Sequence, residues 1–250
     1  MNTIVKNFIH IENQIKSKAK DLKNGSLPKI IAVSKTFEMS HILPLVEYGH
    51  LDYGENKVQE ALEKWPVIKN RYKNIKLHLI GKLQTNKVKN AVKIFDYIHS
   101  VDNEKLAKKI FDEQVKQNRK IKIFLQINIG YETQKAGIDV SQLENFYNYC
   151  KELGLDVVGL MCIPPIDRDT NKYFKQMSVL KKTLNLKELS MGMSSDYLLA
   201  MQNESTYLRI GTNIFGERTY KIWILVFLFI ILIRIKKSFL LNAMHPAVGL

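Results

Sequence analysis

The chain has 250 residues, a formal net charge of +14 and only two cysteines. This length suits one large domain with a substantial core, followed at most by a short appendage. Only six of the 38 basic residues are arginines, and the lysines are scattered among asparagine and isoleucine. The charge therefore reflects composition and predicts no specific nucleic-acid binding.

Two features bear on location and on metal binding. Cys150 and Cys162 stand in neither metal-binding nor redox spacing, which predicts reduced thiols and no metal site. Residues 1–13 contain Lys6, His10 and Glu12, so they lack the apolar core of a signal peptide. We therefore expect a cytoplasmic protein.

Apolar runs and helical patterns alternate along the chain. Strand-like runs lie at about 29–34, 51–53, 77–80, 96–101, 121–129, 156–163, 187–191 and 207–211. Helical patterns lie at about 3–22, 40–48, 56–72, 85–95, 103–117, 141–153, 170–184 and 195–203. This order predicts an α/β protein, a single (β/α)8 TIM-like barrel with an extra N-terminal helix. An open doubly wound sheet is the alternative, although no GxGxxG or GxxxxGK sequence follows any strand.

The first apolar run leads directly to a lysine. Residues 30–33 are typical of a strand that is buried on both faces, so Lys35 either is solvated at the strand exit or has a chemical role. A partly desolvated lysine at the mouth of a parallel barrel has a depressed pKa and can form a Schiff base with an aldehyde. The residues alone leave both interpretations open.

Polar residues follow the other predicted strands as well. In a parallel barrel the loops after the strands open on one face, where reactive groups gather. Asn56 follows the second strand, Asp102 the fourth and Ser194 the seventh. These three residues and Ser141 are also suitable helix N-caps, which is the structural alternative for each.

The last two loops contain the parts of a phosphate site. Gly192-Met193-Ser194 and Gly211-Thr212 supply glycines and hydroxyls after strands seven and eight, where phosphate sites recur in this fold. Arg209 is expected to point into the barrel mouth, where a guanidinium could hydrogen-bond a pyridine nitrogen and keep it unprotonated. The alternative for Arg209 is a salt bridge to a barrel carboxylate such as Glu55.

Eight segments together resemble the pyridoxal phosphate homeostasis family (YggS/PROSC type), whose barrel is related to the N-terminal domain of alanine racemase. They are AVSKT at 32–36, YGENKVQE at 53–60, HLIGKLQTNK at 78–87, SVD at 100–102, QINI with ETQKAG at 126–137, GLMCIP at 159–164, LSMGMSSD at 189–196 and RIGTNIFGER at 209–218. They occur in the family's order, and we expect residues 1–220 to form the cofactor-binding barrel.

The resemblance implies that pyridoxal 5′-phosphate (PLP) is the cofactor and that Lys35 carries it as a Schiff base. It also implies that Ser194, Gly211 and Thr212 hold the phosphate, and that Arg209 faces the pyridine nitrogen. Four residues match family motif positions without an established role: Asn56, His78, Asn86 and Lys135. Of these four, Asn56 is included among the expected cofactor-binding residues.

The function follows from what a racemase of this barrel type requires. It needs bases on both faces of the cofactor, and the relatives' second domain supplies one of them. We expect no such domain here, so one cofactor face is open to solvent. The sequence thus predicts a protein that stores, buffers or delivers PLP without efficient catalysis and has no catalytic residues. We expect a monomer with PLP and PLP-dependent apo-enzymes as partners.

Two other functions stay open from the sequence. One is a one-domain PLP-dependent amino-acid racemase or lyase with Lys35 as its base. The other is an aldolase in which Lys35 forms a Schiff base with a phosphosugar.

Two segments depart from the family. A glycine usually ends the helix before the last strand, and here we expect Asn203 to adopt its left-handed conformation, in a turn shifted by one residue. Residues 221–250 form an apolar and basic tail with a run of 12 apolar residues at 222–233. As a helix this run would span about 18 Å, short of the ~30 Å hydrocarbon core. A packed or swapped helix, an interfacial anchor and a segment without a role are the options, and membrane contact is not favoured.

Overall fold

Parallel strands form the centre of the molecule. The computed structural model describes residues 1–22, 27–132, 134–165 and 169–217. The strands are β1 (Lys29–Val33), β2 (Asp52–Glu55), β3 (Lys76–Leu79), β4 (Tyr97–Val101), β5 (Lys122–Ile127), β6 (Asp156–Cys162), β7 (Glu188–Met193) and β8 (Tyr207–Ile210). Each strand pairs in parallel with the next, and β8 pairs with β1. The predicted closed barrel of eight strands is confirmed, and the doubly wound alternative is wrong.

Helices connect the strands. They are α1 (Thr3–Ala19), α2 (Met39–Tyr48), α3 (Val58–Arg71), α4 (Val88–Ile94), α5 (Glu104–Gln117), α6 (Leu143–Glu152), α7 (Thr170–Thr183), α8 (Tyr197–Gln202) and α9 (Thr212–Phe215). Single 3₁₀ turns at Thr85–Lys87 and Val140–Gln142 precede α4 and α6. The extra N-terminal helix is confirmed as α1, whereas the short α9 after the last strand was not predicted.

Two apolar clusters stabilise the barrel. The larger one lies between the strands and the helices, and α1 contributes Ile4, Phe8, Ile11 and Ile15 to it. The smaller one consists of side chains that point into the barrel from five strands: Ile31, Tyr97, Phe124, Met161 and Tyr207. Inward and outward positions alternate along a strand, so Val33, two residues after Ile31, also faces the barrel interior.

The helix N-termini differ from the expectation. Asn103 rather than Asp102 caps α5, and its side chain accepts a hydrogen bond from the N–H of Leu106. Asp139 rather than Ser141 caps the 3₁₀ turn before α6. The N-cap positions of α3 and α8 are taken by Lys57 and Asp196, and neither side chain makes a capping bond. The proposed capping roles of Asn56, Asp102, Ser141 and Ser194 are therefore wrong.

The barrel and the helices around it form one compact unit, residues 1–216. The expected boundary at residue 220 and the apolar run at 222–233 lie outside the described residues. Within the described ranges, no helix combines the length and the apolar character needed to cross a membrane.

Candidate functional site

Lys35 lies in the turn that directly follows β1, at the end of the barrel where the strands terminate. The lysine is half-buried, and the next residue, Thr36, has a positive φ of 70°. Non-glycine residues seldom adopt this conformation, so the surrounding contacts must hold the turn in place.

Side chains from α3 hold this turn from below. Lys64 donates hydrogen bonds from Nζ to the carbonyls of Ser34 (2.9 Å) and Phe37 (3.2 Å), one on each side of Lys35. Glu60 accepts a hydrogen bond from the Thr36 N–H and contacts Lys64 at 2.9 Å. The backbone around Lys35 is therefore fixed by an ion pair from a helix more than 20 residues further along the chain.

The counter-charge of Lys64 is a buried carboxylate at the end of β2. Glu55 Oε1 lies 2.7 Å from Lys64 Nζ and accepts hydrogen bonds from Ser34 Oγ (2.7 Å) and Trp65 Nε1 (3.0 Å). Burial raises the pKa of Glu55, and its three partners only partly oppose this shift. Glu55 thus belongs to the support of the Lys35 turn, and the expected alternative of an Arg209–Glu55 salt bridge is wrong.

Arg209 lies inside the barrel near the end of β8 and is 5% exposed. Its guanidinium donates to the carbonyl and the Oγ of Ser190 on β7, the latter at 2.8 Å, and to the carbonyl of Cys162 at 2.8 Å. Burial lowers the pKa of Arg209 from its usual value. Among the residues that the structure describes, no carboxylate lies within 4 Å of it. A buried guanidinium without an adjacent anion is suited to a ligand that offers a hydrogen-bond acceptor.

The loops after β7 and β8 contact each other. Ser194 Oγ accepts a hydrogen bond from the Gly211 N–H (3.3 Å), and the Ser194 carbonyl accepts one from Asn213 Nδ2 (2.9 Å). A Cβ on Gly211 would lie 3.3 Å from both the Cβ and the carbonyl oxygen of Val33, so β8 approaches β1 closely here. Thr212 begins α9, whose first N–H groups have no partner within the helix. These groups are the donors that a phosphate takes.

The expected site residues come together at one end of the barrel. Ser194, Arg209, Gly211, Lys35 and Asn56 belong to or follow β7, β8, β1 and β2, which are consecutive around the ring. Asn56 is half-buried and its backbone lies against the loop after β3, because a Cβ on Gly81 would be only 2.4 Å from its carbonyl oxygen.

A second set of polar residues lies inside the barrel, and of these the sequence analysis named only His78. His78 Nε2 lies 2.9 Å from Asp52 Oδ1, and His78 Nδ1 lies 3.0 Å from His99 Nε2. His99 Nδ1 in turn lies 2.9 Å from Ser190 Oγ, which also contacts Arg209. The sequence shows these residues only as polar positions within or beside the apolar runs of β2, β3, β4 and β7, and it does not show that they point inward.

The chain is similar over most of its length to proteins of one family. The model of the alanine racemase N-terminal domain family matches residues 10–219. The pyridoxal phosphate homeostasis protein of Aquifex aeolicus is 37% identical over 202 residues, which are 77% of this chain and 88% of the relative. The chain belongs to the pyridoxal phosphate homeostasis protein family. The protein of that name from Escherichia coli is 33% identical and covers 88% of this chain and 99% of its own length.

Solved structures agree with this assignment. PipY of Synechococcus elongatus, solved with PLP bound, is 32% identical and has a TM-score of 0.74. The match covers 85% of this chain and 100% of PipY. Alanine racemase of Clostridium difficile is 15% identical with a TM-score of 0.65, which shows a shared fold. The resemblance stated from the sequence is confirmed.

The remaining family motif positions lie in different surroundings. His78 is fully buried within the barrel, whereas Asn86 is exposed in the 3₁₀ turn before α4. Lys135 is exposed and pairs with Glu132 at 2.7 Å. The left-handed residue after α8 is Glu204, with φ 62°, and not Asn203 as expected. Asn203 has φ −104° and instead bonds Asn171 through its side chain.

Both cysteines are buried, and burial raises the pKa of each thiol to about 12. Thiols with such values are protonated and unreactive near neutral pH. In the described parts of the chain no three His, Cys, Asp or Glu side chains are grouped so that they could hold a metal ion.

Proposed function

We propose that this protein binds PLP through a Schiff base on Lys35 and stores, buffers or delivers it in the cytoplasm, without efficient catalysis. Family membership supports the cofactor, since the relatives are named for PLP homeostasis and PipY was solved with PLP bound. The observation that carries the proposal is a buried guanidinium without an adjacent carboxylate, at the strand ends that also carry Lys35 and the Ser194–Gly211 contact.

The residues present fit the chemistry of PLP. Its aldehyde requires an amine, and Lys35 is half-buried in a turn whose backbone is fixed on both sides. Its phosphate requires hydroxyl and N–H donors, which Ser194, Gly211 and Thr212 supply. Its ring nitrogen requires a hydrogen-bond donor, and Arg209 is the buried donor at this end of the barrel. When bound, PLP supplies an aldehyde for Schiff-base exchange and an electron-withdrawing ring.

Arg209 also favours storage over catalysis. A guanidinium retains its proton near neutral pH, so it donates to the ring nitrogen without protonating it. A pyridine that stays unprotonated is a poorer electron sink than a pyridinium. Transfer of PLP to apo-enzymes and a monomeric state belong to the same proposal.

A spectroscopic titration tests the proposal. We expect a yellow Schiff-base absorption band when PLP is added to the purified protein, and loss of this band in Lys35→Ala. Lys82→Ala is the control, because Lys82 is exposed after β3 at the same end of the barrel. A band that persists in Lys35→Ala and disappears in Lys82→Ala would contradict the assignment.

Two further measurements separate the alternatives. A carrier loaded with PLP should restore activity to a PLP-dependent apo-enzyme while converting L-alanine to the D form no faster than Lys35→Ala does. A racemase or lyase would show turnover that depends on Lys35. An aldolase would give no PLP band, and borohydride would instead trap a phosphosugar on Lys35.

A further inference from the structure

A continuous hydrogen-bonded chain crosses the interior of the barrel and ends on Arg209. It runs from Asp52 Oδ1 to His78 (2.9 Å), from His78 to His99 (3.0 Å), from His99 to Ser190 Oγ (2.9 Å) and from Ser190 Oγ to Arg209 (2.8 Å). The inner members His78, His99 and Ser190 are completely buried. The interior of such a barrel is ordinarily filled by branched apolar side chains. The row of polar side chains from Asp52 to Arg209, called the file below, is therefore unusual and suggests a specific role.

The hydrogen bonds between these side chains are all donated in one direction. Arg209 can only donate and the ionised Asp52 carboxylate can only accept. With both imidazole rings neutral, Ser190 Oγ therefore accepts from Arg209 and donates its own proton to His99 Nδ1. His99 then carries its proton on Nε2 and donates to His78 Nδ1. His78 likewise donates from Nε2 to the Asp52 carboxylate. Each ring nitrogen makes one hydrogen bond and Ser190 Oγ makes two, one accepted and one donated, with both imidazole rings neutral.

The surroundings of the file agree with neutral rings and an ionised end. Burial lowers the pKa of His78, although Asp52 partly opposes this, and burial together with the nearby His78 and Arg209 lowers that of His99. Burial alone would raise the pKa of Asp52, but the hydrogen bond from His78 and the positive charge of nearby Lys29 help to lower it overall. The Asp52 side chain is 20% exposed, so this end of the file reaches solvent.

Stacking fixes both imidazole rings in plane. His78 lies on Tyr97 with ring centroids 4.3 Å apart, and His99 lies on Phe124 at 4.2 Å. The interplanar angles are 10° and 15°. The rings cannot rotate toward other hydrogen-bond partners without displacing Tyr97 and Phe124.

We propose that Asp52, His78, His99 and Ser190 form a directed relay that positions the Arg209 guanidinium for the ring nitrogen of PLP. This inference rests on the proposed function, because that function places the ring nitrogen at Arg209. The relay gives the guanidinium a fixed acceptor in Ser190 Oγ and connects it, through two neutral rings, to the negative charge of Asp52. The four residues act through Arg209 and are positioning residues.

The direction of the relay is testable without cofactor. In the ¹⁵N NMR spectrum of the histidine-labelled protein, we expect His78 and His99 as neutral rings protonated on Nε2. Asp52→Asn replaces the ionised acceptor by an amide that can also donate, so a second, Nδ1-protonated tautomer should appear in this variant. Rings protonated on Nδ1 in the unaltered protein would overturn the proposal.

The action on Arg209 is tested by two ligands: PLP, and an analogue with a CH group in place of the ring nitrogen. Ser190→Ala should weaken PLP binding by about tenfold and binding of the analogue by less than about twofold. Ser205→Ala is the matched control. Ser205 is also buried near the β7–β8 connection, but it bonds backbone carbonyls, of Met191 (2.7 Å) among others, and does not belong to the relay. It should affect both ligands equally.

The outcomes separate the relay from the function on which it rests. Equal weakening of the two ligands in Ser190→Ala, while the unaltered protein still binds PLP on Lys35, overturns the relay alone. Absence of a PLP adduct on Lys35 in the unaltered protein overturns both proposals. A selective loss for PLP confined to Ser190→Ala supports the relay, since a general loss of stability would affect both ligands.

Discussion

The buried ion pair beneath the Lys35 turn leads to a quantitative prediction for Lys64→Met. The lysine is 11% exposed and its partner Glu55 is completely buried, with 2.7 Å between Nζ and Oε1. Methionine keeps most of the aliphatic volume but removes the ammonium group from Glu55 and from the Ser34 and Phe37 carbonyls. The substitution should therefore expose the cost of the unpaired carboxylate and loosen the backbone around Lys35.

The carboxyl itself limits that cost. Protonating a carboxyl with the ordinary pKa of 4.5 at pH 7 costs about 3.4 kcal/mol of free energy. In Lys64→Met we expect Glu55 to take up a proton at up to this cost rather than remain a buried unpaired charge. Burial has already raised its pKa in the intact protein, so part of this cost is present before the substitution. With about 1 kcal/mol for the lost donor at the two carbonyls, we expect the free energy of unfolding to fall by about 2–4 kcal/mol at pH 7.

The sign of the pH dependence follows from the raised pKa. A carboxyl whose pKa is higher in the folded state stabilises that state below its ordinary pKa and loses the contribution as the pH rises. The deficit of Lys64→Met relative to the intact protein should thus shrink by up to about 1.4 kcal/mol per unit as the pH falls from 7 toward 5. Glu55→Gln introduced together with Lys64→Met should abolish this slope.

Urea unfolding at several pH values and PLP titration measure the two effects. Lys69→Met is the matched control, because Lys69 lies on the same helix and contacts Asp96 (2.6 Å) and the Ile94 carbonyl (2.9 Å) just before β4, at the opposite end of the barrel. Both variants should be less stable, but only Lys64→Met should weaken PLP binding, by about threefold or more. Equal PLP affinities in the two variants, or a deficit independent of pH, would refute the reasoning.

Three further predictions concern the phosphate loop, the glycine before it and acid stability. Ser194→Ala should weaken PLP binding by about tenfold and make inorganic phosphate a poorer competitor, as measured by competition titration. Gly192→Ala should lower the free energy of unfolding by about 3 kcal/mol, because φ is +91° and the new Cβ would lie 2.5 Å from that of Ala200. Gly49→Ala is the control, with φ +103° but nothing within 4 Å of the new Cβ, and should lower it by about 1 kcal/mol. Urea unfolding measures both. Burial lowers the pKa of His50 to about 4, so only the unfolded chain takes up its proton near pH 6.5. This residue alone should lower stability by about 2 kcal/mol between pH 8 and 5. A flat pH profile, equal costs at the two glycines or an unchanged phosphate competition would each contradict its prediction.

Most of the barrel could be predicted from the sequence, because each strand is a short apolar run followed by polar turn residues. The strand ends of a parallel barrel share one face, and from this rule the sequence analysis placed three residues at the same end: Lys35, Arg209 and Gly211. The position of Ser194 against Gly211 follows from the same rule, as their loops follow neighbouring strands.

The supports of these residues could not be predicted. Lys64 and Glu60 are charged residues on a helical pattern, and the sequence alone predicts that they face solvent. Only the folded structure shows that they contact the Lys35 turn, more than 20 residues earlier in the chain. The relay residues were hidden for another reason. Strands that are buried on both faces give near-continuous apolar runs, so nothing in the pattern shows which polar residue points inward. His99 and Ser190 read as interruptions of an apolar run rather than as partners 91 residues apart.

Identification of the modified residue tests the central claim most directly. The purified protein is incubated with PLP, reduced with borohydride and digested, and the pyridoxyl-modified peptide is located by mass spectrometry. We predict one dominant adduct on Lys35, absent from Lys35→Ala and unchanged in Lys82→Ala. Modification spread over the exposed lysines, with none on Lys35, would contradict the account.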